Sequence, residues 1–212
     1  MNRREALKNI GLSASYLAAT PTLFSLLQSC KKEYILEWTP NFLSLDEGKA
    51  LEQIVDLIIP ETDILGAKSL HIPMFIDTYI DKVLDKEREK QLFKRGARLI
   101  MTELGAYKGH SIDTITVKEY DSLLSKYLKN SKEKQEIYLK EINSIKASKD
   151  IENLSQETIS FNFLFIVREL SIFGFKTSEE IGKNVLNYLP VPGEYIACDS
   201  VQNLTSRKDW SL

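Results

Sequence analysis

The sequence predicts an all-α protein: a single-domain bundle of six or seven helices with an extended C-terminal tail. Three observations lead there. Apolar residues recur three and four positions apart in one segment after another, the spacing that puts them on one face of a helix. Ser or Thr stands three residues ahead of Glu at the head of several of these segments, as in a capping box. The prolines of the body (Pro40, Pro60, Pro73, Pro190 and Pro192) fall at the margins of periodic segments rather than inside them.

Residues 34–42 read as an extended lead, with Pro40 discouraging helix at Thr39. The first helix starts at "SLDE", where Ser44 caps and Glu47 closes the box, and Leu51, Ile54, Val55 and Ile58 recur until Pro60 stops the run. "ETDILGAKSLHIP" is a loop with Gly66 as its turn residue. Pro73 suits the first turn of a second helix. That helix presents Ile76, Tyr79, Ile80, Val83 and Leu84 on one face. A third runs from about Glu87 to Leu104, turning Leu92, Ala97, Leu99, Ile100 and Leu104 inward, with Gly105 and Gly109 at its end.

Thr116 and Glu119 form a second capping box ahead of Tyr120, Leu123, Leu124, Tyr127 and Leu128. The charged stretch "KNSKEKQEIYLKEINSIKASKD" has only a thin stripe of Ile137, Ile142 and Ile145; it reads as an exposed helix, with a flexible loop as the alternative. "TISFNFLFIVRELSIFGF" leaves almost no polar face, so it must be the central helix. A last short helix is expected at "TSEE", boxed by Thr177 and Glu180, before the Pro-Gly segment "LPVPGEYIACDS" extends the chain.

Ahead of this body lies a leader. Arg3 and Arg4 precede an apolar run from Ile10 to Leu27 that is diluted by Gly11, Ser, Thr and Pro21, the layout of a signal peptide rather than of a membrane span. "NRREALK" resembles the twin-arginine export motif through Arg3, Arg4, Leu7 and Lys8, with Ala6 where Phe is common. The alternative is an ordinary positive n-region for general secretion. "LLQSC" resembles a lipobox, making Cys30 the lipidated first residue of the mature chain; a free or disulfide-bonded Cys30 is the competing reading. Acyl chains contribute about 0.8 kcal/mol per buried CH₂, so two or more hold a protein on a membrane. The expected organisation is therefore signal peptide 1–29, tether 30–43 and helical domain 44–212, periplasmic and anchored by lipid to an envelope membrane.

The body has no basic surplus, since the formal net charge of the chain is −2, so nucleic acid is not an expected partner. With Cys30 lipidated, Cys198 has no intramolecular mate and stability must come from apolar burial. Neither a catalytic residue, nor a metal ligand set, nor a cofactor motif emerges. His71 and His110 read as solvated loop histidines, far short of a zinc set. "LGAKS" lacks the first glycine of a phosphate loop. Asp77 and Asp81 lie four apart as paired carboxylates could, but a solvated face or ion pairs with Lys82 or Arg88 is the simpler expectation. Tyr188, Pro192, Gly193 and Tyr195 are candidate partner contacts, because aromatic rings on a rigid extended tail suit an interface. The alternative, that the tail folds back and its rings complete the core, stays open.

"FLSLDEGKALEQIVDLIIPETDILGAKSLHIPMFIDTYIDKVL" resembles the opening of the gluconate 2-dehydrogenase subunit 3 family, through Ile58, Ile59, Pro60, Glu61, Gly66, Ala67, Pro73, Phe75, Ile76 and Asp77. "FGFKTSEEIGKNVLNYLPVPGEYIACDSV" is similar to the form of that family found in Bacteroidetes-type bacteria. The resemblance implies a small non-catalytic subunit beside a large FAD-dependent dehydrogenase of the glucose-methanol-choline type acting on a sugar, sugar acid or glycoside. FAD is then expected in the partner, and haem c in a c-type cytochrome as third subunit. It also implies that the twin-arginine signal carries a folded, flavin-loaded partner outward, with the lipid anchor holding the complex at the membrane. A free-standing periplasmic lipoprotein, binding a ligand or scaffolding the envelope, is the alternative.

Overall fold

Alternation of apolar stripes with capped ends yields eight α-helices and no strand among the described residues of the computed structural model, which are 34–106, 111–145, 148–191, 193 and 198–211. The helices are α1 (Leu45–Ile58), α2 (Ile72–Thr78), α3 (Glu87–Glu103), α4 (Val117–Leu128), α5 (Lys132–Ser144), α6 (Gln156–Thr177), α7 (Glu179–Asn184) and α8 (Val201–Thr205). They belong to the unit Leu36–Leu212; the unit Met1–Ile35, with Arg3, Arg4 and Cys30, lies almost wholly outside the described residues.

The apolar α6 is the hub. It packs against α1, α2, α3, α4, α5 and α7, most extensively against α3. Its length and composition would let it cross a membrane, yet Ile159, Phe161, Leu164 and Val167 are fully buried against the other helices. The α3 contact depends on Gly96, where a Cβ would fall 2.5 Å from Phe163 Cβ. That gap lets Phe93 stack on Phe163 with ring centroids 4.7 Å apart.

Two of the three expected capping boxes form: Ser44 with Glu47 at α1, and Thr116 with Glu119 at α4. Each Ser or Thr cap of this kind contributes about 1 kcal/mol. The charged stretch is helix α5, but Ile137 is exposed and the inward ring is Tyr138, stacked 5.0 Å from Phe161. One face of a helix cannot hold both neighbours, and the larger aromatic takes the buried place.

Several expectations are corrected by tertiary context. The second helix does not continue as α; it widens into a π turn over Tyr79–Val83, with the Leu84 N–H donating to the Tyr79 carbonyl. This extra residue per turn rotates Val83 to the surface. Thr177 caps nothing: α6 runs through it, and its hydroxyl donates to the Phe173 carbonyl. The short α7 starts instead after Ser178. Gly66 is needed for space, since a Cβ there would lie 2.6 Å from the Glu61 nitrogen, whereas the left-handed turn belongs to His71 (φ 54°). The tail is not extended throughout. Ser200 accepts from the Asn203 N–H and starts α8, after which Trp210 pairs with Asn187 in an isolated parallel bridge.

Residues 36–43 lack regular structure, as expected of a lead, but they are docked. Gly48 leaves room for Pro40 and Leu36, and the Trp38 indole N–H donates to Glu52 Oε2 at 3.1 Å. Three charged residues of α1 are buried, each held by a distant partner: Glu47 by Lys94 (2.6 Å), Lys49 by Asp113 (3.0 Å) and Glu52 by Lys68 (2.8 Å).

Burial alone would raise the Glu47 pKa, but the Lys94 ammonium and the Ser44 N–H hold it below the ordinary value. A carboxylate depressed in the folded state stabilises above its unfolded pKa of about 4.3, and the gain is lost as pH falls through the folded value. Glu47→Gln is therefore expected to cost about 1.5 kcal/mol at neutral pH. The loss should shrink on acidification below about pH 5. Thermal unfolding of both proteins across that range checks this; a pH-independent difference would contradict it.

Candidate interaction surface

The C-terminal half of α6 changes character along its length. Ser171 and Gly174 stay buried, while Ile172 and Phe173 emerge, Phe173 being 48% exposed. Gly174 is what permits this, because a Cβ there would meet the Phe75 ring at 2.9 Å. Phe75 in turn lies 6.2 Å from Phe173 and 5.9 Å from Tyr79, centroid to centroid.

The returning tail brings further rings to the same end. Lys176, one turn beyond Phe173, binds Asp209 at 2.7 Å and holds that carboxyl below its ordinary pKa. The Asn187 N–H donates to the Asp209 carbonyl at 2.8 Å, and the Ser211 N–H to the Asn187 carbonyl at 3.0 Å. Trp210 is thereby bridged to Asn187, next to the Asp209 that α6 holds, and Tyr188 follows Asn187 directly. Both rings are about half exposed, at 49% and 48%. Leu189 and Val191 add apolar surface next to Tyr188. Buried interface cores are enriched in aromatics of this kind, so the arrangement can seat a protein partner.

Of the residues flagged from the sequence, Tyr188 and Gly193 are described: Tyr188 is half exposed, and Gly193 has open space around it. Pro192 and Tyr195 lie outside the described residues, as do Arg3, Arg4, Cys30 and His110. Nothing in the sequence singles out Phe173 or Trp210: Phe173 sits in an apolar run that reads wholly as core, and Trp210 lies beyond the last periodic segment. Cys198 is free and exposed.

The two aspartates of the second helix are not a pair. Asp81 faces Lys82 at 2.7 Å, as the sequence suggests. Asp77 is fully buried rather than solvated, and its carboxylate accepts the backbone N–H groups of Asn41 (2.6 Å), Phe42 (3.2 Å) and Leu43 (2.9 Å). It ties the lead to α2 and so sets how α1 begins. His71 is exposed at the N-terminus of α2. Among the described residues no group of three or more His, Cys, Asp or Glu is placed to hold a metal ion.

No curated protein and no solved structure matches the chain. A family does: the one described as Gluconate 2-dehydrogenase subunit 3 matches residues 45–193, from the first residue of α1 through the Pro-Gly segment after α7. That span takes in Asp77, though not the Asn41–Leu43 backbone it binds, together with the hub helix α6 and the emergent ring of Phe173. The chain belongs to the gluconate 2-dehydrogenase subunit 3 family.

Proposed function

We propose that this chain is the non-catalytic accessory subunit of an exported oxidoreductase complex. Its partner is a large FAD-dependent dehydrogenase of the glucose-methanol-choline type that oxidises a sugar, sugar acid or glycoside, with a c-type cytochrome as a third member. The family match over residues 45–193 carries the reading, because that family is named for a subunit of a dehydrogenase. The half-exposed rings of Phe173, Tyr188 and Trp210 supply aromatic surface of the kind a partner buries. Buried anchors of this type dominate the energetics of protein interfaces.

The leader gives the reading its purpose. Arg3 and Arg4 address the chain to a route for folded cargo, which a dehydrogenase needs if it takes up its flavin in the cytoplasm. The chain contributes the address, the partner contributes the chemistry, and lipid on Cys30 retains both at the membrane. The test is the double change Arg3→Lys and Arg4→Lys in the native host. Dehydrogenase activity on the periplasmic side of the envelope membranes, assayed with an impermeant electron acceptor, is expected to be largely lost. Undiminished activity there would show that the partner travels by another path.

A further inference from the structure

Independently of that reading, one cleft in the body has the features of a small-molecule site. It lies between the π turn after α2, the start of α3, the end of α5 and the middle of α6, with a volume of about 360 Å³. Clefts of roughly 300–1,000 Å³ accommodate small organic ligands. Ile80, Leu84, Leu92, Ile142, Phe165 and Leu170 form its apolar lining. The π turn shapes one wall, since it sets Tyr79, Ile80 and Leu84 on the cleft.

Into this lining the hub helix places one amide. Asn162 lines the cleft, is 5% exposed, and its Nδ2 is buried without a hydrogen-bond partner. A buried donor left unmade costs about 1–3 kcal/mol, so the position is unfavourable unless something brings an acceptor to it. The charged groups at the cleft do not fill that role, because they are engaged elsewhere. Arg88 donates to the Ile145 carbonyl and to Glu89, Glu89 also holds Lys86 at 3.1 Å, and Glu169 is bound by Arg168 at 3.0 Å. With its charges mutually neutralised, the cleft offers nothing to an ion. It offers mostly apolar walls, with Tyr79 and Asn143 also on the lining and the Asn162 amide buried behind them, its Nδ2 reaching the cleft once the amide turns.

We propose that this cleft binds a neutral, mostly apolar small molecule carrying one hydrogen-bond-accepting oxygen, such as a ketone or ester, whose oxygen accepts from Asn162 Nδ2. The probe pair is benzylacetone and n-butylbenzene, which share a skeleton and differ in a carbonyl against a methylene. Titration of the full chain is followed by NMR of the isoleucine methyl groups, which reports on Ile80 and Ile142 directly.

Benzylacetone is expected to shift those methyl signals saturably. Asn162→Leu should weaken it about tenfold, the effect of one neutral hydrogen bond of about 1.4 kcal/mol. Butylbenzene should bind the variant as well as or better than the parent. The variant removes an unpaired buried donor, so its melting temperature is expected to hold or rise. Should it nevertheless fail to fold, Ile166→Trp, which fills the cleft from a partly exposed position, must abolish benzylacetone binding.

Four results would overturn the assignment. Neither probe reaches the cleft; both lose affinity equally in Asn162→Leu; benzylacetone binds parent and variant alike, as it would if water satisfied the amide; or binding survives Ile166→Trp.

Discussion

Asp77→Ala is expected to lower the free energy of unfolding by about 3–5 kcal/mol, the largest loss from any single substitution argued for this protein. The carboxylate is fully buried and receives three consecutive backbone N–H groups, from Asn41, Phe42 and Leu43. Each donor left unpaired away from water costs about 1–3 kcal/mol. The sum is not reached, because Asn41 is exposed and its N–H can return to solvent when the lead lifts. What cannot relax is Leu43, which is buried against the core immediately before the Ser44 cap. Urea unfolding at neutral pH checks the figure through the midpoint, with the slope unchanged if only stability is altered. Asp77→Asn keeps the volume but aims an NH₂ at N–H donors, so it should recover no more than about half of the loss. A loss below about 1 kcal/mol for Asp77→Ala would mean that the lead is held by its apolar contacts alone.

Gly96→Val is expected to cost about 3 kcal/mol, at the upper end of what overpacking a core exacts. The nearest atoms to a side chain at this position are Phe163 Cβ at 2.5 Å and the Ile159 carbonyl oxygen at 3.2 Å, both on the hub helix and neither free to swing away. Accommodating a side chain means separating α3 from α6, which also loosens the Phe93 and Phe163 rings. Helix propensity works the other way, since Gly is about 1 kcal/mol poorer than Ala in a helix interior. The packing term wins because the clash involves atoms next to the backbone. Gly193→Ala is the control: a Cβ there meets nothing within 4 Å, and the variant should stay within about 0.5 kcal/mol of the parent. Thermal unfolding of the two variants in parallel separates the cases.

These two positions also show what could and could not be read from the sequence. The caps at Ser44 and Thr116 were legible because both partners of a box lie within four residues. The hub role of α6 was legible because a helix without a polar face has nowhere else to go. The Asp77 tie was not, since its partners are 34 to 36 residues back and are backbone groups that leave no mark on side-chain pattern. The same holds for Lys49 with Asp113, 64 residues apart, and for Lys94 with Glu47, 47 apart. A charge on a periodic helix reads as solvated until the fold supplies its counter-charge.

The π turn defeated the period of 3.6 that placed Val83 inward, and the tail pairing through Asn187 brought Asp209, next to Trp210, to a helix that ends over thirty residues earlier. Of the proposed interaction surface, then, only Tyr188 and Gly193 among the described residues were visible beforehand. The Pro-Gly segment signalled an extended tail; nothing local signalled where that tail would return.

Whether the chain holds a redox partner is most directly measured by recovering it, tagged and full length, from its native host under mild conditions and recording the visible spectrum and masses of what comes with it. An accessory subunit is expected to bring a larger protein in near-equal amount, with the flavin absorption bands of bound FAD. A chain recovered alone, or with companions that carry no flavin, would contradict the proposal.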